Sequence, residues 1–153
     1  REDRYQPTAG RPLAAHRDRY AAGMSVVMDT NALMMPVECD VRVFEELDRL
    51  VGVAANATDL LVPEAVLDEL AKLAAGTGEE ATAASVGLDL ARDRCESVAH
   101  EASYADDAVL EVATAEDVSH AVTNDGPLKR RLLDAGVPVI SLRAETKLTV
   151  TQP

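Results

Sequence analysis

Short apolar runs that end in an acid alternate along this chain with segments of helical period, and few architectures accept that pattern. Residues 25–29 (SVVMD), 59–62 (DLLV), 121–124 (AVTN) followed by Asp125, and 137–142 (VPVISL) each read as buried parallel strands. Between them, residues 41–51 (VRVFEELDRLV) place Val43, Phe44, Leu47 and Leu50 on one helical face with charges on the other. Pro63 stands at the favoured first position of a helix running to about residue 75. Gly76 and Gly78 break that pattern, a third helix covers 79–94, and 95–99 reads as a short strand. A helix follows over 106–115 with Asp106 or Asp107 as its cap, and a basic helix over 127–134 is closed by Gly136. Strands alternating with helices predict an α/β domain, a central parallel sheet flanked by helices in three layers with right-handed crossovers.

At 153 residues the chain has the size of one domain. Its apolar content of 47% includes only 3% aromatic residues and no Trp, so Ala, Val and Leu must build the core. Residues 1–23 show no period and hold five Arg; with three acids their net charge is +2, leaving −14 of the total −12 on residues 24–153. They read as a flexible tail or extension ahead of a domain over 24–149, and residues 150–153 as a short C-terminal tail.

The net charge of −12 opposes simple phosphate binding, which ordinarily needs a basic surface. Only Lys72, Lys129 and Lys147 among the fifteen cations are lysines, a composition similar to that of proteins from salt-loving microbes. In molar salt the Debye length shrinks to about 3 Å, and an acidic coat no longer repels itself. Cys39 and Cys95 have no partner cysteine or histidine at metal spacing. His16, His100 and His120 show no metal or triad spacing, and no phosphate loop, dinucleotide fingerprint or nucleophile elbow occurs. No long apolar run or signal pattern points to a membrane or to export, so a cytoplasmic location is the default expectation.

In open parallel sheets ligands bind beyond the carboxyl ends of the strands. Asp29 and Asp125 occupy such ends, Glu69 lies in the helix after the second strand, and Asp107 opens another helix. Alone, each acid has a plain structural role as a turn former, a cap or a solvated helix residue. Brought together, each pair at about 4 Å would cost roughly 4 kcal/mol at an effective dielectric near 20, and a divalent cation removes that cost. Oxygen-only donors suit Mg²⁺ or Mn²⁺, and such a site implies phosphoryl transfer. Thr30 and Asn31 beside Asp29, and Thr123 and Asn124 beside Asp125, are suited to hold the carboxylates. A haloacid-dehalogenase type of phosphatase wants an acid where Asn31 stands, and a receiver domain wants an acidic pair at the first strand end.

The blocks VVMDTN (26–31), VPEAVLDELAKL (62–73), YADDAVLEVA (104–113) and VTNDGPLKRRLL (122–133) resemble the successive signatures of PIN-domain nucleases. The resemblance covers about 24–149. Within the family it leans toward archaeal members similar to eukaryotic ribosomal-RNA processing nucleases and often grouped with VapC-type toxins. It implies a parallel sheet of order 3-2-1-4-5, cleavage of single-stranded RNA, a homodimer, and an antitoxin or ribosome-assembly partner. It implies that Asp29, Glu69, Asp107 and Asp125 are the catalytic and metal-binding acids, with Asp106 able to replace or assist Asp107. Lys129 and Arg130, one turn past Asp125, are candidates for RNA backbone contact. The competing reading is a non-catalytic PIN fold that binds RNA or protein inside a larger complex.

Overall fold

The computed structural model describes residues 24–52, 58–115 and 118–153; the tail expected over residues 1–23 lies outside them. Strand β1 (Met24–Met28) leads into helix α1 (Thr30–Glu38) and then α2 (Val43–Val51). After β2 (Thr58–Pro63) come α3 (Glu64–Ala74) and the long α4 (Gly78–Arg94), then β3 (Glu96–Val98) and α5 (Ala105–Ala115). The chain ends with β4 (His120–Val122), α6 (Gly126–Asp134), β5 (Val139–Leu142) and β6 (Leu148–Thr151). No described helix is long and apolar enough to cross a membrane.

The sheet runs β3-β2-β1-β4-β5-β6, so the predicted 3-2-1-4-5 order is present. All pairings are parallel except β5 with β6, which is antiparallel. From β1 the chain builds outward through β2 and β3 on one side and returns through β4 and β5 on the other. The topological switch therefore falls between β1 and β4, where such sheets open a crevice. Val26, Val27, Met28, Leu61, Val62, Ala121, Val122, Val139 and Ile140 are essentially inaccessible, as expected of strands covered on both faces.

Several local expectations are corrected. Periodicity gives no helix directly after residue 29, yet α1 forms there. Asp29 caps it by accepting from the Thr30 amide, and Ala32, Leu33, Met34 and Met35 are all buried, so no polar face marks the helix. Pro63 sits at the N-cap of α3 and not at its first helical position. Helix α5 starts one residue early, which places Asp106 and Asp107 inside its first turn rather than at its cap. Gly136 ends α6 as expected, at φ 85° with its amide on the Leu133 carbonyl at 3.0 Å.

The largest omission is β6, since no strand is visible in the sequence beyond residue 142. It pairs along its whole length with β5, from Leu142 with Leu148 to Val139 with Thr151, and long-range contacts reinforce it. The Leu148 amide donates to Glu46 Oε1 at 3.0 Å, and Arg49 Nη2 reaches the Leu148 carbonyl at 2.9 Å and Glu46 Oε1 at 2.8 Å. Lys147 Nζ adds a looser contact to Glu46 at 3.7 Å. Glu46 is buried beneath these partners. A charged helix residue thus fastens an edge strand a hundred positions away.

The low aromatic content is resolved by close helix approach. Helix α4 turns Ala81, Ala83, Ala84, Gly87 and Leu88 inward, and it packs on α1. At Gly87 an added Cβ would stand 2.5 Å from the Leu33 carbonyl oxygen, too near for any side chain.

Two predictions follow from these contacts. In an open helix Gly→Ala gains about 1 kcal/mol from propensity, but Gly87→Ala should destabilise the protein by about 1–3 kcal/mol, because the backbone of α1 must move; urea unfolding measures this. The second concerns Glu46, whose hydrogen bond from Arg49, helped by the Leu148 amide, lowers its pKa from the ordinary 4.5 to about 2. A depressed folded pKa stabilises the fold above the ordinary value and loses that contribution as the carboxylate is protonated. Stability should therefore fall as pH drops from 4.5 toward 2. Glu46→Gln should have a lower urea midpoint at neutral pH and a smaller loss across that window.

Candidate active site

A cavity of about 570 Å³ opens at the carboxyl ends of the strands, lined by Asp29, Thr30, Asn31, Met34, Glu69, Tyr104, Ala105, Asp106, Asp107 and Asp125. Every acid singled out in the sequence faces it. Asp29 comes from the end of β1 and Asp125 from the segment after β4; Glu69 comes from α3, and Asp106 and Asp107 from the first turn of α5. Parallel strands converge these residues because β1 lies between β2 and β4, so the acids that follow each strand open onto one rim.

Asp29 is the most constrained. Its backbone amide donates to the Val122 carbonyl at 3.0 Å, which anchors it to β4. Its carboxylate is 5% exposed and accepts three hydrogen bonds: from the Thr30 amide at 2.8 Å, the Thr123 hydroxyl at 2.6 Å and the Asn31 amide group at 3.1 Å. Thr123 is fully buried, and having given its proton to Asp29 its oxygen accepts from the Asp125 amide at 3.0 Å and from Asn31 at 3.3 Å. Asn31 also accepts from the Asn124 amide at 2.8 Å, and Asn124 in turn accepts from the Leu142 amide at 2.8 Å. The four polar residues expected to support the carboxylates thus form one network across β1, β4 and β5.

The remaining acids have simpler supports. Thr30 donates its hydroxyl to Glu69 Oε1 at 2.5 Å, while Asp125 caps α6 by accepting from the Leu128 amide at 2.9 Å. Burial raises the pKa of Asp29, opposed by the hydrogen bonds from Thr123 and Thr30, and the charges of Glu69 and Asp125 raise it further. Asp29 therefore senses both other carboxylates. Asp106 and Asp107, on α5, meet Arg131, whose Nη2 pairs with Asp107 at 3.0 Å and whose Nη1 approaches Asp106 at 3.8 Å. Asp106 also accepts from the Asp107 amide at 2.9 Å.

Among the described residues no three acidic, His or Cys side chains form a group placed to hold a metal ion. The carboxylates border the cavity instead of closing a cage. The donor set still fits Mg²⁺ or Mn²⁺. It is made of oxygen alone, the charges of Glu69 and Asp125 bear on a buried Asp29, and Mg²⁺ commonly keeps several waters while taking only one or two protein carboxylates.

The basic cluster divides in a way its sequence spacing does not reveal. Lys129 turns to Ser141 Oγ at 3.3 Å, and neither Lys129 nor the exposed Arg130 lines the cavity. Arg131, the third cation of that cluster in the sequence, is the one that meets the acids. Tyr104, unassigned in the sequence, lines the cavity while 72% exposed. His100 is structural: its Nε2 accepts from the Ala65 amide at 3.0 Å. Cys39 and Cys95 are free, and burial raises the Cys95 thiol pKa to about 12, which makes it inert.

No curated protein sequence matches the chain. Among solved structures, the PIN domain endonuclease Utp24 aligns with a TM-score of 0.68 at 25% identity over 84% of this chain and 92% of its own. VapBC2 from Rickettsia felis, solved bound to a DNA fragment from its promoter, aligns with a TM-score of 0.56 at 17% identity, over 77% of this chain and 98% of the other; that likeness concerns the fold alone. The family described as PIN like domain matches residues 26–145. With its switch-point crevice ringed by carboxylates and that match across most of its length, the chain belongs to the PIN-like domain family.

Proposed function

We propose that the protein is a metal-dependent endoribonuclease that hydrolyses phosphodiester bonds in single-stranded RNA. The observation that carries this reading is the buried, triply hydrogen-bonded Asp29 carboxylate facing Glu69, Asp107 and Asp125 across one cavity. The likeness to the PIN domain endonuclease Utp24 supports cleavage of a phosphodiester chain as the activity, in RNA processing or as a toxin held by an antitoxin.

Asp29, Glu69 and Asp125, joined by Asp107, are the residues that would hold Mg²⁺ or Mn²⁺, with Asp106 beside Asp107. A cation bound there supplies charge neutralisation and Lewis acidity toward a phosphodiester. The chain's own residues set the geometry. Thr123 and Asn31 fix the plane of the Asp29 carboxylate, Thr30 orients Glu69, and the Leu128 amide holds Asp125. The described lining contains no His, Lys or Cys, and its carboxylates are the groups that would hold the cation, so we assign none of them to activating a ribose 2′-hydroxyl. Water is then the attacking group, displacing the 3′ oxygen and leaving 5′-phosphate and 3′-hydroxyl ends. Lys129 and Arg130, outside the cavity on α6, would meet more distant phosphates, Lys129 after leaving Ser141.

The Arg131–Asp107 ion pair favours the second reading, a non-catalytic binding module, because a guanidinium already neutralises one acid. The two readings separate on a single assay. Incubation of mixed RNA with Mn²⁺ should yield fragments with 5′-phosphate ends, and Asp29→Asn should give none. Cyclic 2′,3′-phosphate products, or undiminished cleavage in EDTA, would disprove the mechanism. Thr123→Val removes the hydroxyl that holds Asp29 while keeping its shape. It should lower Mn²⁺ affinity or cleavage by about 10- to 100-fold, the usual effect of losing a residue that orients a ligand. Calorimetry measures the affinity, and an unchanged value together with unchanged cleavage would remove Thr123 from the site.

A further inference from the structure

The main cavity offers an anionic strand no cation: its lining holds five carboxylates, and Arg131 is spent on Asp107 and Asp106. No side-chain cation of that lining is therefore left for the strand, and part of the grip falls to contacts that do not depend on charge. A second cavity of about 290 Å³ adjoins the first and shares Glu69, Tyr104 and Ala105 with it; its other walls are Ala65, Asp68, Lys72 and Ser103. Tyr104 stands at the junction. Among the described residues the only large apolar side chains left exposed are Tyr104 at 72% and Val86 at 36%, whereas Phe44 is covered by Arg94 at 4.4 Å from its ring centroid. The ring of Tyr104 is thus an uncovered aromatic face beside the acids.

Its base is rigid although its face is open. The Tyr104 carbonyl accepts from the Ala108 amide at 2.9 Å at the start of α5. The preceding loop is pinned to the same helix, since the Glu101 and Ala102 amides both donate to the Glu111 carboxylate at 2.8 and 2.9 Å. Lys72, on α3, gives the second cavity the side-chain cation that the first lacks.

We infer that Tyr104 is a stacking platform for an unpaired nucleobase next to the cleaved phosphodiester, with Lys72 receiving the phosphate of that nucleotide in the second cavity. The inference rests on the nuclease reading above and adds the origin of its single-strand preference. Aromatic stacking tolerates any base, needs no basic surface, and is open only to bases not already stacked inside a duplex. One stacked base is worth about a 5- to 150-fold change in affinity, and Lys72 adds a single salt-sensitive contact.

The test is anisotropy of a labelled short oligouridylate and of an RNA duplex of equal length, in Ca²⁺ buffer, with Mn²⁺ calorimetry on the same proteins. Tyr104→Ala should weaken oligouridylate binding by about 5- to 150-fold, leave duplex and Mn²⁺ binding unchanged, and keep the urea midpoint. Tyr104→Phe should bind within about twofold of wild type, since the ring remains. Lys72→Ala should reduce the slope of log affinity against log salt by about 0.7, the value of one single-strand phosphate contact. Oligouridylate binding by Tyr104→Ala equal to wild type, or an equal loss for the duplex, overturns the platform and leaves the nuclease reading standing. A wild-type protein that neither binds nor cleaves RNA overturns both.

Discussion

The hydrogen bond from the buried Thr123 hydroxyl to the Asp29 carboxylate is the contact around which the site is arranged. A carboxylate removed from water costs several kcal/mol unless its lone pairs are met. Here three donors meet them, drawn from β1's own continuation and from the segment after β4. The same hydroxyl accepts from the Asp125 amide, and Asn31 passes the network to Asn124 and on to β5. The residues that hydrogen-bond Asp29 thus also hold together the strand ends that frame the crevice.

Electrostatics then divides the labour among the acids. The charges of Glu69 and Asp125 bear on the buried Asp29, a repulsion that a bound cation would relieve. Asp106 and Asp107 face Arg131 from α6, an exposed pair of modest energy that sets side-chain direction more than stability. With a net charge of −12 the molecule has little long-range attraction for RNA. On the proposed nuclease reading, affinity for RNA would come from short-range contacts, which salt screens only weakly.

The scaffold serves this arrangement with small side chains. Helix α4 reaches α1 closely because Gly87 and its neighbouring alanines leave backbone against backbone, and α1 in turn positions Thr30 and Asn31. Far from the crevice, Glu46 and Arg49 close the opposite edge of the sheet by clasping β6. The edge strand is held by charge and hydrogen bonds, which suits a chain with few large apolar residues to spend there.

Much of the molecule was fixed by sequence. Apolar strands ending at Asp29 and Asp125, each followed by helical period, determine an α/β sheet and put acids at its carboxyl edge, because strand and helix periods are local properties of the chain. The polar neighbours Thr30, Asn31, Thr123 and Asn124 were legible for the same reason, lying within two residues of the acids they support. What depended on tertiary structure is everything set by packing between distant segments. Helix α1 carries no amphipathic signature since four consecutive residues, Ala32 to Met35, are buried, and β6, paired with β5, is reinforced by Glu46 about a hundred residues earlier. Arg131 was indistinguishable in sequence from Lys129 and Arg130; only the packing of α6 on α5 directs it to Asp107 while Lys129 turns to Ser141. Tyr104 read as one residue of a motif, and its place between two cavities arises because α3 and α5 meet there. Periodicity reports which face of an element is apolar, but which polar groups meet across elements is decided by three-dimensional packing.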